Sequence, residues 1–250
     1  MLRVLDLFSG IGGFSLGLER AGMRTVAFCE IDPFCRQVLR RRWPRVPIYE
    51  DVRDLTMRYS RDAELVCGGF PCQDVSAAGK GAGIEGERSG LWREFHRIIG
   101  ELRPRYAFVE NVAALTFRGL LRVLGDLTEI GYDAQWHCIP ASAVGAPHQR
   151  DRIWIIAYPA GYRLEGELRQ AIAQALHDVP PEALDAWHRS GSLFADWPKL
   201  LAEPAVQRVA YGFPAGTRHS HLEAIGNAVC PQVVEALGRA ILEAERSGVQ

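Results

Sequence analysis

The sequence predicts a doubly wound α/β domain, a mostly parallel sheet with helices on both faces. Three observations carry that expectation. Short apolar runs of strand length alternate with stretches of helical periodicity through the first two thirds of the chain, the order that builds parallel βαβ units. Gly10, Gly12 and Gly13 cluster where the first run ends, as a tight strand-to-helix turn requires. Small, acidic and nucleophilic residues follow successive runs, at Ser9-Gly10, Glu30-Ile31-Asp32, Gly69-Phe70-Pro71-Cys72 and Glu110-Asn111. In such a sheet these residues converge on the carboxyl edge, where ligands bind.

Strands are expected over 3–8, 25–31, 63–69, 106–111, 134–139 and 152–158, with a poorly defined one around Ile48. Helices are expected over 12–21, 33–42, 91–102, 116–130 and 231–245, each with apolar residues at helical spacing. Asp32 followed by Pro33 reads as an N-cap and a first helical residue. From Pro159 to about Gly212 the pattern turns helical and irregular, with Pro180-Pro181, Trp187 and Trp197-Pro198. The chain therefore divides into a main domain (1–158), a small region (159–212) and a returning segment (213–250). No internal repeat is visible.

Composition sets the class. With 250 residues, 48% hydrophobic and 24% charged, the chain can bury a real core and is read as globular rather than disordered. Its longest apolar runs are strand-sized, far short of the roughly 20 residues a membrane span needs, so a soluble cytoplasmic protein with no membrane partner is expected. The six cysteines include no C-x-x-C pair, which points to reduced thiols and to neither a metal site nor a disulfide framework. A formal net charge of -1 makes no global case for nucleic acid and leaves only local basic patches. The densest, Arg36, Arg40, Arg41, Arg42 and Arg45, reads either as phosphate contacts or, preferably, as favourable charge at a helix C-terminus. Arg208, Arg218, His219 and His221 are the better phosphate candidates.

Individual motifs admit two readings each. The turn at 6–13 departs from the dinucleotide fingerprint, because Ser15 stands where the third glycine belongs; it is a tight connection or a ligand cradle. Glu30, 20 positions after Gly10, is placed to accept ribose hydroxyls, which favours an adenosine ligand. Asp51 either addresses an adenine edge or is an ordinary loop acid. Gly68-Gly69 and Pro71 fix a turn that presents the Cys72 thiol; a buried structural cysteine is the alternative, and the polar, glycine-rich stretch at 77–90 suits it poorly. Glu110 is an unremarked strand-end acid or, if partly buried, a proton donor with a raised pKa. Arg150 and Arg152, alternating into a strand, share one face, as a solvated edge or as part of a site.

Taken together in chain order, DLFSGIGG (6–13), the acid of CEID (29–32), GGFPCQ (68–73), VENV (109–112), QRDR (149–152) and GNAVCPQ (226–232) resemble the motif set of the DNA cytosine-C5 methyltransferase family. The resemblance covers about residues 2–158 and 204–240. It implies a Rossmann-like class I methyltransferase fold with a small target-recognition region, as in a small prokaryotic or phage-type member. The implied reaction is transfer of a methyl group from S-adenosyl-L-methionine to C5 of cytosine in DNA, leaving S-adenosyl-L-homocysteine. Cys72 matches the thiol that adds to C6 and Glu110 the acid that engages N3 and the exocyclic amine. Arg150 and Arg152 match side chains that stabilise the developing charge. The implied cofactor pocket comprises Phe8, Gly10, Gly12, Glu30 on the ribose, Ile31, Asp51 and Val52 near the adenine, Gly69, Pro71, Leu91, Asn227 and Val229. The target base would be flipped from the duplex beneath a loop over 73–90, with Gln73, Ser76 and Arg218 as DNA contacts.

The implied partner is double-stranded DNA, bound by a monomer without metal. Two departures from the family pattern stand out: His148 separates Pro147 from Gln149, and 159–212 is short for target recognition, so specificity is expected to be relaxed, short or supplied by a partner protein. Methylation of RNA is the competing substrate reading. A silent cofactor- or DNA-binding subunit would not need Cys72, Glu110 and both arginines, and an unrelated adenosine-dependent enzyme would not explain GGFPCQ.

Overall fold

In a computed structural model, described over residues 1–56, 62–71, 91–146, 149–162, 165–177 and 227–248, seven strands form one sheet. They are β1 (Arg3–Leu7), β2 (Arg24–Cys29), β3 (Ile48–Tyr49), β4 (Leu65–Gly69), β5 (Tyr106–Val112), β6 (Tyr132–Pro140) and β7 (Asp151–Pro159). Their order is β3-β2-β1-β4-β5-β7-β6. β1 to β5 pair in parallel, whereas β7 runs antiparallel to both β5 and β6. The chain leaves β1 toward β2 and β3 on one side and returns to β4 on the other. The connections after β1 and β4 therefore part at the carboxyl edge, which opens a crevice there.

The helices are α1 (Gly13–Ala21), α2 (Pro33–Arg42), α3 (Leu91–Leu102), α4 (Leu115–Arg118), α5 (Leu120–Glu129), α6 (Glu165–His177) and α7 (Pro231–Gly248). Central strands are apolar on both sides because both faces are covered. On one face Val4, Leu65, Phe108 and Ile156 pack with Phe14 and Leu18 of α1, Leu168 and Ile172 of α6, and Val233, Val234, Leu237 and Ile241 of α7. On the other, Leu5, Leu7, Val66, Val109 and Ile155 pack with Trp92, Phe95, Ile98 and Ile99 of α3 and Val123 and Leu127 of α5. α1 and α7 approach closely at Gly17, where a Cβ would lie 2.5 Å from the Pro231 carbonyl oxygen.

Local chemistry sets the element ends. Asp32 accepts the Cys35 N–H at 2.8 Å with Pro33 at the first turn, so α2 starts where the sequence places it, and Arg40, Arg41 and Arg42 occupy its last turn. The single helix expected over 116–130 is divided at Gly119, whose backbone is extended (φ 173) and whose N–H closes α4 on Leu115. The first part of the region 159–212 is α6, whose Leu168 and Ile172 belong to the main core; residues 178–226 lie outside those described. No helix among the described residues is long and apolar enough to cross a membrane.

Candidate active site

The turn after β1 is built on left-handed backbone at Phe8 (φ 52), Gly10 (φ 54) and Gly12 (φ 87). Gly10 faces open space, as a cradle requires. Gly12 serves a different end, because a Cβ there would lie 2.5 Å from the Trp43 ring; the room it leaves belongs to the protein itself. Ser9 ties the turn down, its hydroxyl donating to the Asp6 carbonyl at 2.6 Å. Glu30, buried beside it, accepts the Gly10 N–H at 2.6 Å on one carboxylate oxygen and the Asp32 N–H at 2.8 Å on the other. Burial raises its pKa, against the opposing pull of those two N–H groups. Each oxygen keeps acceptor capacity, so the carboxyl group can still receive ribose hydroxyls.

Beyond Glu30, Ile31 is 64% exposed, an apolar side chain left open to solvent. Asp51 is held by its neighbour: the Arg53 guanidinium donates to both carboxylate oxygens, at 2.9 Å from Nε and 2.5 Å from Nη2, and lowers the Asp51 pKa. Val52 does not face the edge. It is buried in the core, while its carbonyl accepts from Arg97 at 3.1 Å. Leu91 opens α3 and packs against the same core. From the C-terminal segment Val229 lies against Gly13, where a Cβ would meet it at 2.7 Å, and Asn227 is exposed.

The second half of the crevice lies between β4 and β5. Gly69 pairs with Glu110 in register, and a Cβ on Gly69 would lie 2.8 Å from Glu110 Oε2, so the missing side chain makes room for the acid. Glu110 is buried and its Oε1 is 2.9 Å from Arg152 Nε. Burial raises the Glu110 pKa; Arg152, then Arg150, oppose it. The two arginines do not present as an alternating pair. β7 begins only at Asp151, and Arg150, with φ 43, donates from its guanidinium to the Ala228 carbonyl at 2.7 Å. It thereby ties the backbone at Ala228 to the start of β7.

Asn111, read in the sequence only as a strand-end residue at the carboxyl edge, fixes the turn before Cys72. Its side chain donates to the Phe70 carbonyl at 3.1 Å and accepts the Val112 N–H at 2.9 Å. The Phe70 ring packs on Trp92 (centroids 5.4 Å apart), whose Nε1 donates to Asp126 at 2.8 Å. The available signal was an amide side chain beside the strand-end acid of an otherwise apolar run. Cys72, Gln73, Ser76 and Arg218 lie outside the described residues. The five other cysteines are free thiols. Burial pushes the thiols of Cys29 and Cys35 up to about 12 and those of Cys67 and Cys230 upward, away from thiolate. Cys138 is exposed, but its thiol too is raised. Among the described residues no group of three or more His, Cys, Asp or Glu could hold a metal ion.

Residues 2–193 match the profile of a family described as C-5 cytosine-specific DNA methylase. The chain is 37% identical over 164 residues to Type II methyltransferase M2.BsuMI of Bacillus subtilis (strain 168), a match covering 62% of the chain and 42% of that protein. It is 32% identical over 161 residues to Type II methyltransferase M.HhaI of Haemophilus parahaemolyticus, covering 63% and 49%. It thus spans about half, or less, of the length of these curated relatives. A prophage-encoded DNA modification methyltransferase of E. coli aligns with TM-score 0.54 and 29% identity over 64% of this chain and 47% of its own. A variant of DNMT2 from Spodoptera frugiperda aligns over 99% of this chain and 98% of its own, with TM-score 0.55 and 16% identity, a likeness of fold alone.

Proposed function

The chain belongs to the C-5 cytosine-specific DNA methylase family, and from that premise we propose that it methylates C5 of cytosine in duplex DNA through a transient bond between Cys72 and C6. The observation that supports this best is Glu110, a buried acid with raised pKa, set against Gly69 two residues from Pro71 and held by Arg152. The Cys72 thiolate adds to C6 of the flipped base. Glu110 lends its proton to N3, so the electron pair displaced from the C5–C6 bond gathers at C5 without full charge on the ring. C5 then takes up a methyl group, which S-adenosyl-L-methionine supplies when bound. Loss of the C5 proton to solvent, return of the N3 proton to Glu110 and expulsion of the thiolate restore the double bond and the neutral base.

The edge after β1 and β2 suits that donor. Gly10 leaves open space, the Glu30 carboxyl retains acceptor sites for ribose, and Ile31 offers an apolar surface to a base. Gln73 and Ser76 are ascribed to DNA contacts and Arg218 to a phosphate. Target recognition is ascribed to 159–212 beyond α6, or to a partner protein.

The test is transfer of labelled methyl groups from S-adenosyl-L-methionine to duplex DNA and, in parallel, to tRNA. Wild-type protein is expected to label DNA, Cys72→Ser to be inactive yet bind cofactor, and 5-fluorocytosine DNA to trap a covalent adduct, since fluorine at C5 cannot leave as a proton. Labelling of tRNA alone would move the substrate to RNA, and absence of an adduct during active turnover would refute the covalent step.

A further inference from the structure

Resting on the methyltransferase reading above, we infer that Arg36 is a positioning residue for the adenosine end of the cofactor site. From the first turns of α2 its Nη1 donates to two consecutive carbonyls, that of Ile31 at 2.7 Å and that of Glu30 at 3.3 Å. Its Nη2 lies 3.2 Å from the Glu50 carboxylate. One guanidinium thus joins the backbone that carries Glu30 and Ile31 to the segment that carries Asp51.

That link falls where the sheet stops providing one. The β2–β3 ladder pairs Phe28 with Ile48 and Cys29 with Tyr49, and its last bond runs from the Glu30 N–H to the Tyr49 carbonyl at 2.9 Å. Past it, 30–32 and 50–51 have no ladder between them among the described residues. Arg36 bridges this gap with a planar, delocalised donor that can serve carbonyls and a carboxylate at once. Turning the Glu30 and Ile31 carbonyls inward leaves the Ile31 side chain outward, and it leaves the Glu30 carboxylate on the N–H groups of Gly10 and Asp32.

Arg36 also differs from the rest of its basic cluster. Its side chain is 11% exposed, whereas Arg40, Arg41, Arg42 and Arg45 are exposed. They lie toward the far end of α2, while Arg36 faces the carboxyl edge. A residue spent on two carbonyls and one acid is poorly placed to serve DNA phosphates.

The test measures, on the full chain, the Kd for S-adenosyl-L-homocysteine by calorimetry and the Kd for duplex DNA over a range of salt. Arg36→Ala is expected to raise the first about tenfold, about 1.4 kcal/mol, with the second and its salt slope as in wild type. Arg36→Lys is expected to recover part of the loss, because an ammonium can pair with Glu50 but cannot hold both carbonyls. Glu50→Gln should weaken cofactor binding less than Arg36→Ala. Wild-type cofactor affinity in Arg36→Ala overturns the inference, as does a loss confined to DNA with a shallower salt slope, which would make Arg36 a phosphate contact. If Arg36→Ala does not fold, wild-type affinity in both Arg36→Lys and Glu50→Gln overturns it. A wild-type chain that binds no cofactor overturns the methyltransferase reading, and this inference falls with it.

Discussion

Glu110 sits between opposed influences, burial raising its pKa and Arg152, then Arg150, lowering it. If the protonated acid engages N3, the rate of methylation falls as pH rises through that raised pKa. Arg152→Gln removes the nearer cation, so the alkaline limb of the pH–rate profile is expected to move to higher pH. Loss of a preorganised charge should also lower kcat, by about a hundredfold or more. Single-turnover methylation across pH checks both, and a limb that stays or moves to lower pH refutes the assignment. In the sequence Glu110 was readable as a strand-end acid, but its partner was not. Arg152 meets it as a diagonal neighbour across β5–β7, Glu110 pairing with Trp154 and Val112 with Arg152. No spacing along the chain encodes that antiparallel register. The contact that Asn111 makes was hidden for the same reason, since its bond reaches 41 residues back to Phe70.

At the scale of elements, β1 holds a feature its apolar run conceals. Asp6 is fully buried, one carboxylate oxygen accepting the Ser15 hydroxyl at 2.7 Å and the Ser15 N–H at 3.2 Å, and so ties β1 to the first turn of α1. Burial pushes its pKa up to about 8. The unfolded chain gives up this proton near pH 4, the folded one near 8. Its contribution to stability is therefore full below about pH 4 and lost as pH rises toward 8. Asp6→Asn keeps a side chain of the same shape without the charge, and its Tm is expected to fall less than that of wild type between pH 4 and 8. Parallel slopes in the two proteins would refute the buried proton. Strand and helix boundaries around Asp6 were legible from periodicity and glycine. The role of Ser15, where a third glycine was missing, became clear only when β1 and α1 stood side by side.

Across the whole molecule, the last helix closes the fold that the first strand begins. Val233, Val234, Leu237 and Ile241 of α7 are buried against α1 and α6. Four such side chains, at about 1.5–3 kcal/mol each, rival the roughly 5–15 kcal/mol that stabilises a typical domain. A chain ending at Gly226 is therefore expected to lose cooperative thermal unfolding and near-ultraviolet circular dichroism; retention of both would show that α7 is dispensable. The residues alone determined the α/β class, the order of the elements, the Asp32 cap and the set of motifs that gather at strand ends, because these depend on local backbone preference and on periodicity. Tertiary structure decided what each motif touches: Gly12 against Trp43, Arg150 on Ala228, Arg152 on Glu110, and Arg36 beneath Glu30 and Ile31. Those contacts join positions up to 78 residues apart, and they exist only once strand order and register bring the segments together.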